Sequence, residues 1–203
     1  MRRKIILIAG GTASGKTTIA HETARLLSVP AIVIPQDAYY HDRTHLTRAQ
    51  RDKLNFDEPA AFEWSYMLKQ LRELKQGRPI PLPTYSYKSH TRLKRTKKVD
   101  PAPIIIVEGL FPYWDAKLRR LADLKVFVDT DADIRLIRRI RRDIRERSRT
   151  AENTIARYLR DVKPMHDRHV EPCSQWADII LSGLDSQKAA RTLLRTISQL
   201  DKK

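Results

Sequence analysis

Short, β-branched apolar runs recur along the chain at residues 5–9, 31–34, 104–107, 126–128 and 179–181. Each run is continuous rather than alternating, the pattern of strands buried on both faces of a parallel sheet. Helical spacing fills the intervals. Residues 17–27 follow the first run. Trp64, Met67, Leu68, Leu71 and Leu74 mark a second helix that Gly77 ends. Ile134, Ile137, Ile140 and Ile144 mark a third, with the isoleucines as its buried face. Ala189, Leu193, Ile197 and Leu200 mark a helix near the C-terminus. Strands alternating with helices predict an α/β fold, a doubly wound parallel sheet of about five strands flanked by helices. Residues 78–103 break the pattern: Pro79, Pro81, Pro83, Pro101 and Pro103 surround Tyr85, Tyr87 and His90. This segment reads as an extended excursion, a hairpin projecting from the core.

With 203 residues and 41% hydrophobic content, the chain suits one domain spanning 1–203. Its 40 basic and 24 acidic residues leave a net charge of +16, which points to a polyanionic partner: nucleic acid, a membrane surface or phosphorylated small molecules. The single cysteine, Cys173, rules out an intrachain disulfide and reads as a packing residue in a reducing compartment. No apolar run reaches the roughly 18 residues of a membrane span. The expectation is a soluble cytoplasmic protein with no membrane partner.

The sharpest motif is Gly10-Gly11-Thr12-Ala13-Ser14-Gly15-Lys16-Thr17, with Thr18 following. It matches G-x-x-x-x-G-K-[ST] in full and lies between a buried strand and a helix, where a phosphate loop has to lie. Glycines let the backbone wrap phosphates, and the helix adds its positive end. Lys16 would reach the β- and γ-phosphates of ATP, and the Thr17 hydroxyl would face Mg²⁺. A second metal-side acid belongs at the end of a neighbouring strand. Glu108 and Asp129 are the candidates. Glu108 is favoured because Gly109 beside it leaves space for a ligand, whereas Asp129, Asp131 and Asp133 suit the capping of the next helix.

That helix carries Arg135, Arg138, Arg139, Arg141, Arg142, Arg145, Arg147 and, just beyond, Arg149. Half of these arginines suit a solvated face. The rest suit a lid over residues 135–150 whose guanidinium groups close on the transferring phosphoryl group and exclude water. On the acceptor side, Asp37 in Gln36-Asp37-Ala38-Tyr39-Tyr40 stands at the end of a strand beside the phosphate loop, where a carboxylate can take a proton from an attacking alcohol.

These segments, together with Asn55-Phe56-Asp57, residues 85–92, Glu108-Gly109, Phe127 through Asp133, Val162 through His166 and Val170-Glu171-Pro172, resemble the uridine kinase (uridine–cytidine kinase) family of P-loop nucleoside kinases over nearly the whole chain. The resemblance implies transfer of the ATP γ-phosphate to the 5′-hydroxyl of uridine or cytidine. It implies Asp37 as general base near Mg²⁺, with Lys16, Arg142 and Arg147 assisting transfer and Thr17 and Glu108 completing the metal site. It also implies Asp57 on the ribose hydroxyls, Tyr40 and Phe56 lining the pocket, Tyr85, Tyr87 and His90 on the base, and Arg139 and Arg149 on the nucleoside. A homotetramer is implied as well.

The chain departs from the family pattern at several positions. Tyr85-Ser86-Tyr87 stands for a common Tyr-Asp-Phe, Ser148 for Gly, Glu58 for His, and Arg157 for a Gln that helps read the nucleoside. The ATP half is nearly intact and the acceptor half has drifted. Two other readings remain: a phosphoribulokinase-like or other small-alcohol kinase, and a nucleic-acid-binding P-loop protein. The second lacks any standard nucleic-acid module, so a small-molecule nucleoside is the expected partner.

Overall fold

The first strand, β1 (Lys4–Gly10), is buried at every position. In a computed structural model that describes residues 3–200, it is the middle strand of a five-stranded parallel sheet. The other strands are β2 (Ala31–Pro35), β5 (Ile104–Gly109), β6 (Leu124–Asp129) and β7 (Ile179–Ser182), in the order β2-β5-β1-β6-β7. Each apolar run of the sequence is one of these strands. Alternate residues of β1 serve opposite cores. Ile5, Leu7 and Ala9 pack with Met67, Leu71, Val107 and Phe111. Ile6 and Ile8 pack with Ile19, Ala20, Leu193 and Ile197. Two-sided burial is why the strand is apolar throughout.

The helices cover both faces. Helix α1 (Lys16–Leu26) and α8 (Ser186–Gln199) lie on the second core, and α3 (Trp64–Lys75) and α4 (Ala116–Leu121) on the first. The stop at Gly77 is as the sequence reads: its φ is 87°, and Gly77 and Arg78 return their N–H groups to the carbonyls of Leu74 and Glu73. Among the described residues no helix is long and apolar enough to cross a membrane. Cys173 is fully buried, its thiol pushed up to about 12 by that burial, as a packing residue should be.

The proline-rich excursion is an antiparallel hairpin, β3 (Ile80–Ser86) with β4 (Thr91–Val99), outside the main sheet. Prolines cannot donate to a ladder, and the register shifts between Pro83 and Thr84. A short helix, α2 (Arg48–Asp52), flanks the hairpin tip. Arg48 and Arg51 donate to the carbonyls of Lys88 and Ser89.

The arginine-rich helix α5 (Ala132–Arg147) corrects the reading of its faces. The isoleucine stripe is not the buried side: Ile137 is 46% and Ile144 48% exposed. Arg135, Arg139 and Asp143, spaced four apart, are the buried positions. A charged face can be buried when its charges find partners: Asp143 lies within ion-pair distance of Arg139, Arg142, Arg147 and Arg149, while Arg135 donates to the Thr130 carbonyl and lies 3.1 Å from His166 Nε2. The acids before α5 also cap less than expected. Asp131 stands at the cap without a side-chain bond, while Asp133 accepts from Ile134 N–H.

Ser148 ends α5 with φ 53°, the left-handed conformation that favours glycine. Beyond it, α6 (Ala151–Arg157), a wide-turned helical segment, α7 (Lys163–Met165) and further helical turns run to Trp176.

Candidate active site

The glycine-rich sequence forms the turn from β1 into α1. Ala13 (φ 60°) and Gly15 (φ 97°) are both left-handed, so the backbone curls into a cradle before Lys16 opens the helix. Free N–H groups of the first helical turn belong to such a cradle. Thr12, Ala13, Gly15, Lys16, Thr17 and Thr18 line a cavity of about 940 Å³. Gly10, Gly11 and Ser14 do not line it. Ser14 is fully buried, and its carbonyl accepts from the Thr130 hydroxyl at 3.0 Å.

Glu108 ends the strand beside β1, level with Ile8, and its Oε2 accepts from the Thr17 hydroxyl at 3.0 Å. Burial holds the Glu108 carboxyl above its ordinary range against the pull of nearby Lys16. Asp129, the other candidate, is exposed at the end of β6 and outside the cavity. Gly109 itself borders the cavity, while the place a Cβ would take there is filled by the Gln36 side chain, whose Oε1 accepts from Phe111 N–H. Lys16 reaches back to the Gly11 carbonyl at 3.3 Å. Burial lowers the pKa of its ammonium, and the charges of Glu108 and Asp37 oppose that shift.

Asp37 lies in a tight turn after β2 (Gln36–Tyr39) and opens on the same cavity as Lys16, Thr17 and Glu108. Its Oδ2 accepts from the Tyr87 hydroxyl at 2.7 Å. Tyr40, Phe56 and Tyr85 form an aromatic wall, with ring centroids 4.8 Å apart for Tyr40–Tyr85 and 5.5 Å for Tyr40–Phe56. Asp57 also borders the cavity, its carboxyl raised by burial against the lowering effect of Arg139.

His90 has φ 52° and is buried against Phe56. Arg149 Nη2 lies 3.2 Å from its Nε2. Because a guanidinium only donates, Nε2 accepts and the ring is neutral. Burial, and then Arg157, Arg48 and Arg149, push the His90 pKa down to about 4.

The arginines join the two ends of the cavity. Arg139 donates to the Thr12 hydroxyl at 2.9 Å, with Arg142 3.5 Å from the same oxygen. The Arg147 guanidinium lies 4.5 Å from the centre of the Tyr87 ring. Arg157 lines the cavity. All the remaining residues picked from the sequence therefore border one space.

Several neighbours carry no motif. Gln36, Thr130 and Gly183 support the loops from behind. Arg138 borders the cavity and donates to the Gly183 carbonyl at 2.9 Å. Asp161 borders it from the wide-turned segment. Asp143 carries a signal of one kind: it continues the four-residue spacing of Arg135 and Arg139.

Thr17 and Glu108 offer the hard oxygen donors that Mg²⁺ prefers. Mg²⁺ takes few protein ligands and fills the rest of its shell with phosphate and water, a demand that two such donors meet.

Residues 5–190 match the model of the phosphoribulokinase/uridine kinase family. The chain is 45% identical over 183 residues to a uridine kinase of Lactococcus lactis subsp. cremoris (strain MG1363), covering 89% of each. It is 44% identical over 202 residues to a uridine kinase of Clostridium novyi (strain NT), covering 98% of this chain and 97% of the other. In three dimensions it is similar to phosphoribulokinase from Rhodobacter spheroides, with a TM-score of 0.68 at 19% identity over 92% of this chain and 74% of that one, a likeness of fold.

Proposed function

The chain belongs to the phosphoribulokinase/uridine kinase family, and we propose that it transfers the γ-phosphate of ATP to the 5′-hydroxyl of uridine or cytidine, giving UMP or CMP. One observation carries this reading: Asp37, Lys16 and the Thr17–Glu108 pair open on one cavity whose other end is walled by Tyr40, Phe56 and Tyr85. A phosphate cradle, a proton acceptor and an aromatic slot for a planar base are the parts that nucleoside phosphorylation needs.

Asp37 takes the proton of the 5′-hydroxyl as that oxygen bonds to the γ-phosphorus and ADP departs. Lys16, Arg142 and Arg147 offset the negative charge spread over the transferring oxygens. Asp57 accepts from the ribose hydroxyls and fixes the sugar. Tyr85, Tyr87 and His90 border the base, with Arg139, Arg149 and Arg157 around them. Thr17 and Glu108 hold Mg²⁺, which supplies charge neutralisation at the phosphates when bound.

The test is ADP release from Mg-ATP with uridine, cytidine, purine nucleosides, ribulose 5-phosphate and pantothenate offered in turn. Turnover with a pyrimidine nucleoside above every other acceptor is the expected result. Failure to turn over either pyrimidine nucleoside overturns the reading.

A further inference from the structure

The contact between Tyr87 and Asp37 is not part of phosphate or nucleoside binding as described above. Tyr87 sits in the turn between β3 and β4 and is 41% exposed, on a hairpin outside the main sheet. Its hydroxyl nonetheless lies 2.7 Å from Asp37 Oδ2. The negative charge of Asp37, and then burial, raise the pKa of the phenol far above its ordinary value, so the hydroxyl keeps its proton and donates it to the carboxylate. Among the described residues no other hydrogen bond is made to the Asp37 carboxylate, whose backbone carbonyl accepts from Tyr40 N–H at 3.4 Å. The face of the same ring carries Arg147, 4.5 Å from its centre. One side chain at the hairpin tip thus engages both the proton acceptor and a lid arginine.

We propose that Tyr87 is a positioning residue that sets how the γ-phosphate is divided between the acceptor alcohol and water, its hydroxyl occupying Asp37 until an acceptor hydroxyl replaces it. The inference rests on Asp37 being the proton acceptor of the transfer. In the water reaction, a water oxygen bonds to the γ-phosphorus, the bond to the β-phosphate oxygen breaks, ADP and phosphate leave, and the water's proton passes to Asp37 and on to solvent. A carboxylate already accepting from a phenol is a poorer acceptor for that proton. An alcohol anchored by its sugar competes for the carboxylate with the advantage of a held reactant, and water has no such anchor. A bound acceptor therefore displaces Tyr87, whereas stray water does not.

The experiment measures ADP release by the full chain from Mg-ATP, without nucleoside and with saturating uridine. It compares wild type, Tyr87→Phe, and Tyr87→Phe combined with Asp37→Asn. The expected result is a rise of about fivefold in the ratio of hydrolysis to transfer in Tyr87→Phe, the equivalent of one net hydrogen bond lost. In the double variant, acceptor-free hydrolysis is expected to show no rise over wild type. An unchanged ratio in Tyr87→Phe overturns the proposal, and so does increased hydrolysis that survives in the double variant. Should Tyr87→Phe not fold, Tyr87→Met also removes the hydroxyl and is read in the same way. Wild type that phosphorylates no nucleoside counts against the proposed function alone. Hydrolysis without acceptor then still decides the role of Tyr87.

Discussion

Asp143 and Arg149 are joined twice: Nη1 of Arg149 lies 3.0 Å from Oδ2 of Asp143, and the Arg149 backbone N–H donates to the Asp143 carbonyl at 3.2 Å. The chain has turned at Ser148 between them. Arg142 binds the other carboxylate oxygen, with Arg147 at 3.5 Å. Burial pushes the Asp143 pKa up, but Arg147, Arg139 and Arg142 together outweigh it and hold the pKa below its ordinary value. One carboxylate thus keeps four cationic side chains together at the cavity. Asp143→Asn leaves those charges uncompensated, and breaking a buried pair in this way costs about 3 kcal/mol. The expected outcome is a clearly lowered melting temperature together with lowered kcat. Calorimetry and steady-state kinetics on one preparation check both, and a variant matching wild type in both would remove Asp143 as the organiser of the lid.

Glu108 and Thr17 make a sharper pair for testing the metal site. Glu108→Gln keeps the shape and the hydrogen bond but removes the charge. The concentration of Mg²⁺ giving half-maximal velocity should rise by about tenfold or more, as losses around metal sites do. A titration of Mg²⁺ at fixed ATP reads this directly. An unshifted midpoint argues that Glu108 serves only to hold Thr17.

Gly183 follows β7 and closes on the phosphate loop. A Cβ at this position would lie well inside the van der Waals radius of the Ser14 carbonyl oxygen and against the Thr130 hydroxyl. Gly183→Ala must push the loop or the end of β7 aside, an overpacking that costs about 1–3 kcal/mol. The expected signature is a raised KM for ATP with a smaller effect on the KM of the nucleoside. Equal effects on the two would place the strain elsewhere.

His166 gives the pH dependence a sign. It is buried, with Nε2 3.1 Å from Arg135 Nη2 and 3.2 Å from Glu171 Oε2. Burial, and then Arg135, push its pKa down to about 4. The unfolded chain takes up this proton near the ordinary histidine value of about 6.5, while the native state resists until about pH 4. The stability is therefore fully present above about pH 6.5 and is lost as the pH falls toward 4. His90 behaves alike, so removing one histidine removes part of the effect. His166→Gln should lose less melting temperature than wild type between neutral pH and pH 4.5. Melts followed by circular dichroism check this, and an equal or larger loss in the variant contradicts it.

The apolar runs were legible because two-sided burial forces every residue of a strand to be apolar, and the phosphate loop was legible because its glycines and lysine have fixed spacing. The hairpin was announced by its prolines. Helix α5 misled because periodicity reveals that a helix has two faces, not which one is covered. Hydrophobicity favoured the isoleucines, but Arg139 is inside with Asp143 as its charge partner, and Arg135 is inside against the Thr130 carbonyl and His166. Gln36 filling the space at Gly109, and Gly183 against Ser14, were not legible, since each is a single residue whose meaning lies in a partner distant in the chain.

Ser148 explains one departure from the family pattern. The glycine of the resembled pattern suits a backbone that is left-handed at this position, and serine adopts that conformation at a cost of about 1 kcal/mol. For the change at Arg157 the structure gives a place on the cavity wall and no further reason.

The strand order leaves the molecule with a half built on the main sheet and a half built outside it. The glycine-rich turn proposed to hold ATP leaves the central strand, which is hydrogen-bonded on both sides. Much of the acceptor's surroundings comes from a two-stranded ribbon and a run of irregular helix at the periphery. Substitutions such as Ser86, Tyr87 and Arg157 fall on or beside those peripheral parts. Selection can thus retune which alcohol is accepted while the machinery that handles the nucleotide, and the stability of the sheet beneath it, stay as they are.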